Sequence, residues 1–262
     1  MPGERSAIDP NDSTDPTDPR QLIVWMGWDP REQMAWHVAA QSLHVVSPRV
    51  IPRRLSLSDL QERGLYTRPI ERRGVDFWDP ISVAPMSTEH AISRFLVPYL
   101  CEYRGWALFV DGDVLFRRPI EDLFALADPQ YAVMCVQHPP LGSAAPKKLG
   151  QTQTLYSRKN WSSVMLFNCE HRANQRLTLD LVNKLAGRDL HAFCWLDDHH
   201  IGMLPAKWNY LVNVTAPHLD PDPNIIALVH FTLGVPALAG HESDPFAEEW
   251  FAAARAAGYT QP

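Results

Sequence analysis

The sequence predicts an α/β protein built around a central mixed β-sheet flanked by helices. Residues 22–57 carry the first indication, because they fit a strand, a loop, a helix and a second strand in turn. Apolar runs of strand length then alternate with helical segments along the rest of the chain. The length of 262 residues fits one large domain, and 45% hydrophobic residues suffice for a substantial core.

The elements are predicted in chain order from local patterns. An apolar run closed by a glycine predicts a strand at 22–27, and apolar spacing predicts a helix at 32–46 and a strand at 50–57. Turn residues predict a loop at 57–85 that covers the site, before a helix at 87–103. The later predictions are strands at 106–113, 131–137, 161–169 and 228–234, the last closing the sheet, and helices near 120–127, 176–186 and 246–257.

The first 20 residues are predicted to be a disordered tail, because they are rich in Asp, Pro, Ser and Thr. Residues 21–262 are expected to form a single domain. The tail has no apolar stretch typical of a signal peptide, and no apolar run reaches 18 residues, so no transmembrane segment is expected. Cysteines too far apart for a C-x-x-C motif indicate free thiols in a reducing compartment; they are Cys101, Cys135, Cys169 and Cys194. A cytoplasmic protein is predicted.

The charge pattern argues against several classes of partner. A net charge of −6 does not favour binding to nucleic acid or anionic lipid. Basic pairs at 53–54, 72–73, 117–118 and 147–148 are interpreted as scattered surface charge, with a phosphate-binding groove as the alternative. The chain has neither G-x-G-x-x-G nor G-x-x-x-x-G-K-[ST], which argues against a dinucleotide-binding fold and against a P-loop.

Two carboxylates follow the apolar run at 106–110. Asp111 and Asp113 flank Gly112 at the C-terminal edge of a predicted strand, where α/β folds bind ligands. Because alternate residues of a strand face the same way, both carboxylates are expected to point at one ligand. Such oxygen ligands suit Mg²⁺ or Mn²⁺, which also hold phosphates. This DXD motif predicts the metal site of an enzyme that uses a nucleoside diphosphate.

Further motifs stand in a defined order around this pair. GWDPRE occupies 27–32, NWSSVMLFN occupies 160–168, LDD occupies 196–198 and HFTLG occupies 230–234. In this order the motifs resemble the retaining GT-A glycosyltransferases of the family-8 type, such as glycogenin and galactosyltransferase-like enzymes, and their bacterial and phage relatives. The resemblance spans residues 22–234 and implies a GT-A-like catalytic domain. It also implies metal-dependent transfer of a hexose from a UDP-sugar to a hydroxyl acceptor, with retention.

The resemblance implies a set of metal ligands. Asp111, Asp113 and His230 would hold Mn²⁺ or Mg²⁺ against the diphosphate, and Asp111 would also lie near the ribose. The family's ending H-x-x-G-x-x-K-P-W is matched only in part, because the chain has no lysine at the corresponding place after Gly234. Neutralisation of the leaving diphosphate would then depend more on the metal and on an arginine.

The resemblance also implies residues for the donor. These are Gly27, Trp28 and Asp29 cradling the base, Arg94 facing the diphosphate, and Asn160 beside the sugar with Asp197 or Asp198. The alternative for Trp28 is a core position. Asp198 and Asp197 are the predicted catalytic residues, and Asp198 is the candidate for the sugar face at which a nucleophile or front-face attack acts. The alternative for Asp198 is a helix cap or an ion pair. His199 and His200 are interpreted as a surface cluster, with metal binding as the alternative.

Other functions remain open from the sequence. The acceptor is a carbohydrate, a lipid-linked sugar or, as in phage-type enzymes, a hydroxymethylated DNA base that would be flipped out of the duplex. A non-catalytic module that binds a sugar nucleotide is a further alternative, favoured by the missing lysine after Gly234. A nucleotidyltransferase also holds Mg²⁺ with paired acids, but its usual glycine-rich basic signature is absent from the sequence.

Overall fold

A computed structural model describes residues 22–74, 76–139, 158, 160–215 and 222–260. The predicted tail at 1–20 lies outside these residues, and the prediction of one domain over 21–262 stays a prediction. The strands are β1 (Ile23–Gly27), β2 (Arg53–Leu55), β3 (Glu71–Arg73), β4 (Asp76–Asp79), β5 (Ala84–Met86), β6 (Trp106–Val110), β7 (Val114–Phe116), β8 (Val133–Cys135), β9 (Val164–Asn168), β10 (Ile201–Met203), β11 (Tyr210–Leu211) and β12 (Leu228–His230). The α-helices are α1 (Gln33–Val46), α2 (Leu57–Glu62), α3 (Val97–Leu100), α4 (Glu121–Phe124), α5 (Leu179–Lys184), α6 (Gly187–His191) and α7 (Ala247–Ala256).

The central sheet confirms the predicted α/β class. Six strands pair in the order β10-β8-β9-β6-β1-β2, and β9 runs antiparallel to its neighbours β6 and β8. The other neighbouring pairs are parallel, so the sheet is mixed. Parallel strands need crossover connections, and α1 connects β1 to β2 in this way.

Both faces of this sheet are covered, which explains why its strands are apolar without interruption. Successive residues of a strand point to opposite faces. In β6, Ala107 and Phe109 enter one hydrophobic cluster, whereas Leu108 and Val110 enter another. The central strands are therefore buried on both faces, and functional side chains can reach solvent at the ends of these strands.

A second, three-stranded sheet has the order β11-β12-β7. The late strand predicted at 228–234 was expected to close the central sheet, but β12 covers only Leu228–His230 and belongs to this second sheet. It pairs antiparallel with β7, the strand that follows the two aspartates. The chain therefore passes from the central sheet into the second sheet between β6 and β7.

The segment predicted as a loop at 57–85 contains regular structure. Ser56 caps α2, its hydroxyl accepting from the amide of Asp59 at 3.4 Å, and β3, β4 and β5 form a small antiparallel sheet. The strands are three or four residues long and lie among prolines and glycines, so their local pattern is that of turns. Pairing among β3, β4 and β5, and not the local sequence pattern, determines that this segment forms strands.

The helix predicted at 87–103 is broken into shorter pieces. The 3-10 helix Ser93–Leu96 leads directly into α3, and Pro98 lies in the first turn of α3, where a missing backbone N–H costs little. The chain then turns through Glu102 and Tyr103, whose φ angles of 52° and 54° are incompatible with a continuing helix. The predicted helices at 32–46 and 246–257 match α1 and α7 closely. No helix in the described part of the chain is long and apolar enough to cross a membrane.

A buried ion pair fastens the small sheet to α5. The guanidinium of Arg68 donates to Asp79 Oδ2 and to the carbonyls of Val182 (2.9 Å) and Leu185 (2.6 Å). The side chains of Arg68 and Asp79 are 0% and 1% exposed. Removing one partner of such a pair leaves an uncompensated buried charge.

We expect Asp79→Ala to lower the free energy of unfolding by about 3–5 kcal/mol, because Arg68 then remains charged and buried without its carboxylate. Urea denaturation followed by circular dichroism measures this change. The matched control is Glu71→Ala, which removes an exposed ion pair with Arg73 and should cost less than about 1 kcal/mol. Equal effects of the two substitutions would contradict the structural role of the buried pair.

Candidate metal centre

Asp111, Asp113 and His230 converge where β6 leaves the central sheet. One ligand atom from each residue lies within 4.8 Å of the others. The Nε2 atom of His230 is 3.2 Å from Asp113 Oδ1 and 3.8 Å from Asp111 Oδ2. The side chains of Asp113 and His230 are buried, whereas that of Asp111 is 15% exposed. The cluster is therefore a nearly closed group of ligand atoms that reaches solvent at Asp111.

The backbone brings these residues together in a different way from that predicted. Residues 111–113 form a bend between β6 and β7, so strand alternation does not align the two carboxylates. The register of the second sheet places His230 opposite Val114, and the amide of Phe231 donates to the carbonyl of Asp113 at 3.0 Å. Convergence therefore depends on strand pairing between residues more than one hundred positions apart.

Gly112 is required by close packing at this bend. A Cβ atom on residue 112 would lie 2.5 Å from the carbonyl oxygen of Gly27, which is backbone and cannot rotate away. Gly27 is itself restricted, because a Cβ there would lie 2.4 Å from the ring of His90. These contacts press the end of β1 against the bend that carries the two aspartates.

Asn209 sets the tautomer of His230. The Nδ2 atom of Asn209 donates to Ser163 Oγ at 2.9 Å and approaches the carbonyl of Asn160 at 3.4 Å, so its Oδ1 faces His230 Nδ1 at 3.0 Å. An amide oxygen only accepts, and in the neutral ring the hydrogen-bond network thus places the proton on Nδ1. The Nε2 lone pair then faces both carboxylates, an arrangement that fits a cation between them.

His90 and Arg94 hold the other oxygen of Asp111. Arg94 lies 3.0 Å and His90 Nε2 lies 3.2 Å from Asp111 Oδ1, which leaves Oδ2 facing His230. Burial acts to raise the pKa of Asp111, but the charge of Arg94 and the hydrogen bond with His90 outweigh it and lower the pKa. Arg94 also donates to the carbonyl of Ser162 at 2.9 Å. Arg94 therefore orients the first aspartate of the motif.

Sequence reasoning missed His90 and Asn209 as parts of this site. His90 precedes Arg94 by four residues, which is the spacing of neighbours on a helix face and was the available signal. Asn209 follows a tryptophan in an ordinary apolar stretch, and no local pattern marks it. Only the folded chain shows that its side chain contacts His230.

Two neighbouring histidines add no positive charge to the site near neutral pH. Burial lowers the pKa of His191 to about 3, and its Nδ1 is 2.6 Å from Ser162 Oγ. Burial, with a smaller effect of the charge on His230, lowers the pKa of His138 to about 4. Among the described residues, Arg94 is the guanidinium that contacts Asp111, and His138 and His191 do not add to its positive charge.

The loop after β1 holds the residues predicted to cradle the base. The guanidinium of Arg54 lies 4.7 Å above the ring of Trp28. The carboxylate of Asp29 is buried and accepts from Arg31 and from the amide of Glu89 at 3.0 Å. Burial opposes ionisation of Asp29, but the hydrogen bonds from Arg31 and Glu89 outweigh it and lower its pKa. Asp29 therefore shapes this loop, and its contact with a base stays a prediction.

Asn160 lies against the cluster through its backbone. Its φ of 65° is left-handed, a conformation that asparagine tolerates better than most residues. Its carbonyl accepts from Ser163 Oγ at 2.7 Å. The backbone carbonyl of Ser163 accepts in turn from the amide of Asp111 at 3.0 Å. Among the described residues no hydrogen bond engages the side chain of Asn160, so its amide is available to a ligand.

The predicted catalytic aspartates contact residues other than those of the cluster. Asp198 is ion-paired with Arg158, and its side chain is 90% exposed. Asp197 is also exposed, and its Oδ2 is 3.9 Å from His200 Nδ1. Within the described ranges neither aspartate bonds to Asp111, Asp113 or His230. Their catalytic role stays a prediction.

Solved structures show the same fold at low sequence identity. The galactosyltransferase LgtC, crystallised with donor and acceptor sugar analogs, superposes with a TM-score of 0.55 at 14% identity, over 92% of this chain and 98% of LgtC. The glycosyltransferase GlyE of Streptococcus pneumoniae TIGR4 gives 0.56 at 13% identity, over 89% of this chain and 61% of GlyE. WbbM, a bifunctional glycosyltransferase, gives 0.58 at 11% identity, and the chain spans about half of it. The fold is GT-A-like, as predicted.

A relative of known sequence is much more similar. No protein-family model matches the chain. Protein CDI of Arabidopsis thaliana is 39% identical over 231 residues, which cover 87% of this chain and 83% of that protein. Identity at this level over most of both chains indicates common descent and a common fold. The chain belongs to the family of Protein CDI.

Proposed function

We propose that the protein is a metal-dependent glycosyltransferase that moves a hexose from a UDP-sugar to a hydroxyl acceptor, with retention. The observation that carries the proposal is the cluster of Asp111, Asp113 and His230 at the carboxyl end of β6 in a GT-A-like fold. Ligands of α/β sheets bind outside the carboxyl ends of the strands. LgtC, which shares the fold, is described with donor and acceptor sugar analogs, and this supports the same class of substrates here.

The donor set fits Mn²⁺ or Mg²⁺. Asp111 Oδ2, Asp113 Oδ1 and His230 Nε2 are two carboxylate oxygens and one imidazole nitrogen, with the nitrogen's lone pair facing the oxygens. A divalent ion bound by them would offset the negative charge that develops on the leaving diphosphate. His90 and Arg94 keep Asp111 ionised and fix which oxygen faces the cluster. Asn209 keeps the proton of His230 away from the ligand atom.

The rest of the donor is assigned to the residues around this cluster. Gly27, Trp28 and Asp29 would bind the base, and the unengaged amide of Asn160 would bind the sugar. UDP is proposed because the GT-A enzymes that the chain resembles mostly use it. Arg94 is the arginine predicted to face the diphosphate. It contacts Asp111 of the cluster, and a diphosphate bound to a metal ion there would lie close to it.

Asp198 is proposed to act beneath the sugar. Its partner Arg158 lies above the ring of Trp161 at 5.5 Å, next in sequence to Asn160. This chain of contacts leads from Asp198 to the residue proposed to hold the sugar, which supports a place near the anomeric carbon. An exposed carboxylate there would stabilise positive charge on the sugar ring during a transfer with retention. Asp197 is the alternative.

A non-catalytic sugar-nucleotide module is the second candidate. It is favoured by the absence of a lysine after Gly234, which weakens charge neutralisation of a leaving diphosphate. The two functions share donor binding and differ in turnover. Release of UDP from a UDP-sugar, followed over time, therefore separates them.

We expect UDP to bind wild-type protein in the presence of Mn²⁺, and binding to depend on the metal. Asp113→Ala should remove this dependence, because one of the two carboxylate ligands is lost. Isothermal titration of UDP and GDP, with and without Mn²⁺, measures both effects. The matched control is Asp122→Ala, which removes an exposed carboxylate on α4 with the same change in charge. Absence of nucleotide binding with every metal would refute the donor site, and preference for GDP would correct the base.

We expect Asn209→Leu to weaken Mn²⁺ binding by about 10–100-fold, because His230 loses the acceptor that holds its proton on Nδ1. Titration of Mn²⁺ by electron paramagnetic resonance measures the free ion directly. The control is Asn183→Leu, which removes hydrogen bonds with Leu65, Thr67 and Leu179, none of them a residue of the cluster, and should leave Mn²⁺ affinity unchanged. Equal weakening by both substitutions would show a general loss of stability.

We expect Asp198→Asn to lower kcat by about a hundredfold or more while UDP affinity stays at the wild-type level, because the carboxylate acts on the sugar and not on the nucleotide. Turnover of a UDP-hexose with an active acceptor measures kcat, and nuclear magnetic resonance of the product gives the anomeric configuration. Asp180→Asn, at an exposed position on α5, is the control. Unchanged turnover in Asp198→Asn would remove Asp198 from the mechanism, and an inverted product would refute retention.

A further inference from the structure

A second group of metal-ligating side chains lies immediately before β10, at the edge of the central sheet. Asp197 precedes the 3-10 helix Asp198–His200, which contains His199 and His200. One ligand atom from Asp197, His199 and His200 lies within 4.8 Å of the others. From the sequence His199 and His200 are interpreted as a surface cluster, with metal binding as the alternative, and the fold brings both close to Asp197.

The backbone holds these side chains in place. The amide of His200 donates to the carbonyl of Asp197 at 2.9 Å, and the carbonyl of His200 accepts from the amide of Ala132 at 2.9 Å. The next residue, Ile201, pairs with Val133 in the central sheet. Ligands carried by a turn that is tied to a sheet lose little conformational freedom when they bind an ion.

His200 has a ring nitrogen poised for an ion. Its Nδ1 atom is buried and, within the described residues, makes no hydrogen bond. The carboxylate oxygen of Asp197 is 3.9 Å from this nitrogen, too far for a hydrogen bond. Zinc bonds nitrogen and carboxylate oxygen at about 2.0–2.2 Å, so the gap has the width for one ion between the two atoms. The rings of His199 and His200 are 4.0 Å apart between centroids, which brings a third ligand to the same place.

His171 supports the site without joining it. Its ring lies 5.0 Å from that of His200. Its Nδ1 accepts from the amide of Ala173 at 3.2 Å, which places the proton of the neutral ring on Nε2. In this tautomer neither nitrogen of His171 offers a free lone pair to an ion, and its ring packs against that of His200.

We infer that Asp197, His199 and His200 form a second metal site, selective for Zn²⁺ or a similar transition metal, with water completing the coordination. Two imidazoles suit zinc, copper and nickel, whereas the two carboxylates of Asp111 and Asp113 suit Mn²⁺ and Mg²⁺. An ion in the second site would bind Asp197, whereas Asp198 would keep its ion pair with Arg158. The inference does not rest on the proposed transferase activity.

The test is isothermal titration of ZnCl₂ into untagged, metal-free protein. His199→Ala should remove one equivalent of bound zinc, and because His199 is exposed the variant should fold normally, as circular dichroism will show. His200→Gln should remove the same equivalent. The matched control is His44→Ala, an exposed histidine on α1, which should leave zinc binding unchanged.

Asp113→Ala separates the two sites, because zinc also binds carboxylate–imidazole groups such as that of Asp113 and His230. We expect the zinc equivalent lost in Asp113→Ala to differ from the one lost in His199→Ala, and the double variant to lose both. Wild-type zinc affinity and stoichiometry in both His199→Ala and His200→Gln would overturn the inference. If zinc binding were lost only in Asp113→Ala, the result would support the first site alone and would equally overturn the inference of a second site.

Discussion

The close approach of Gly112 to the carbonyl oxygen of Gly27 is the constraint on which the site depends. A side chain on residue 112 would meet backbone at 2.5 Å. The chain leaves the central sheet after Val110, beside β1, and enters the second sheet at Val114, and this close approach lies within the three residues between. Asp111 and Asp113 lie on either side of this point, so each is anchored by a different sheet. The backbone of both aspartates is therefore fixed by neighbouring strands, and sites built on strands are held more precisely than sites on loops.

Two sets of polar contacts then orient the ligands from opposite sides. His90 and Arg94 take one oxygen of Asp111, and Asn209 takes the proton-bearing nitrogen of His230. Each set leaves one ligand atom directed inward. Buried charges and imidazoles are costly unless paired, and these contacts pair one oxygen of Asp111 and one nitrogen of His230. This explains how a largely buried cluster of acids can be part of a stable fold.

The fold is retained at 14% identity to LgtC because it depends on patterns that many sequences satisfy. Strands buried on both faces require only apolar residues of suitable size, and these exchange freely. A site requires particular atoms at particular distances. The relation to Protein CDI is of another kind, since 39% identity over most of both chains establishes family membership.

The sequence by itself determined what depends on neighbours along the chain. The apolar runs of β1, β6 and β9 and the periodicity of α1 are local, and they predicted the fold class. The Asp-x-Asp motif is also local and singled out Asp111 and Asp113, whereas His230 was implied by the family resemblance. Tertiary structure alone decided that β12 joins the second sheet, that β3, β4 and β5 form in the segment predicted as a loop, and that His90 and Asn209 orient the ligands. These outcomes depend on strand register and on hydrogen bonds across the fold, such as that between His230 and Asn209, which lie 21 residues apart. Packing selects such contacts from many alternatives that local propensity leaves equal in energy.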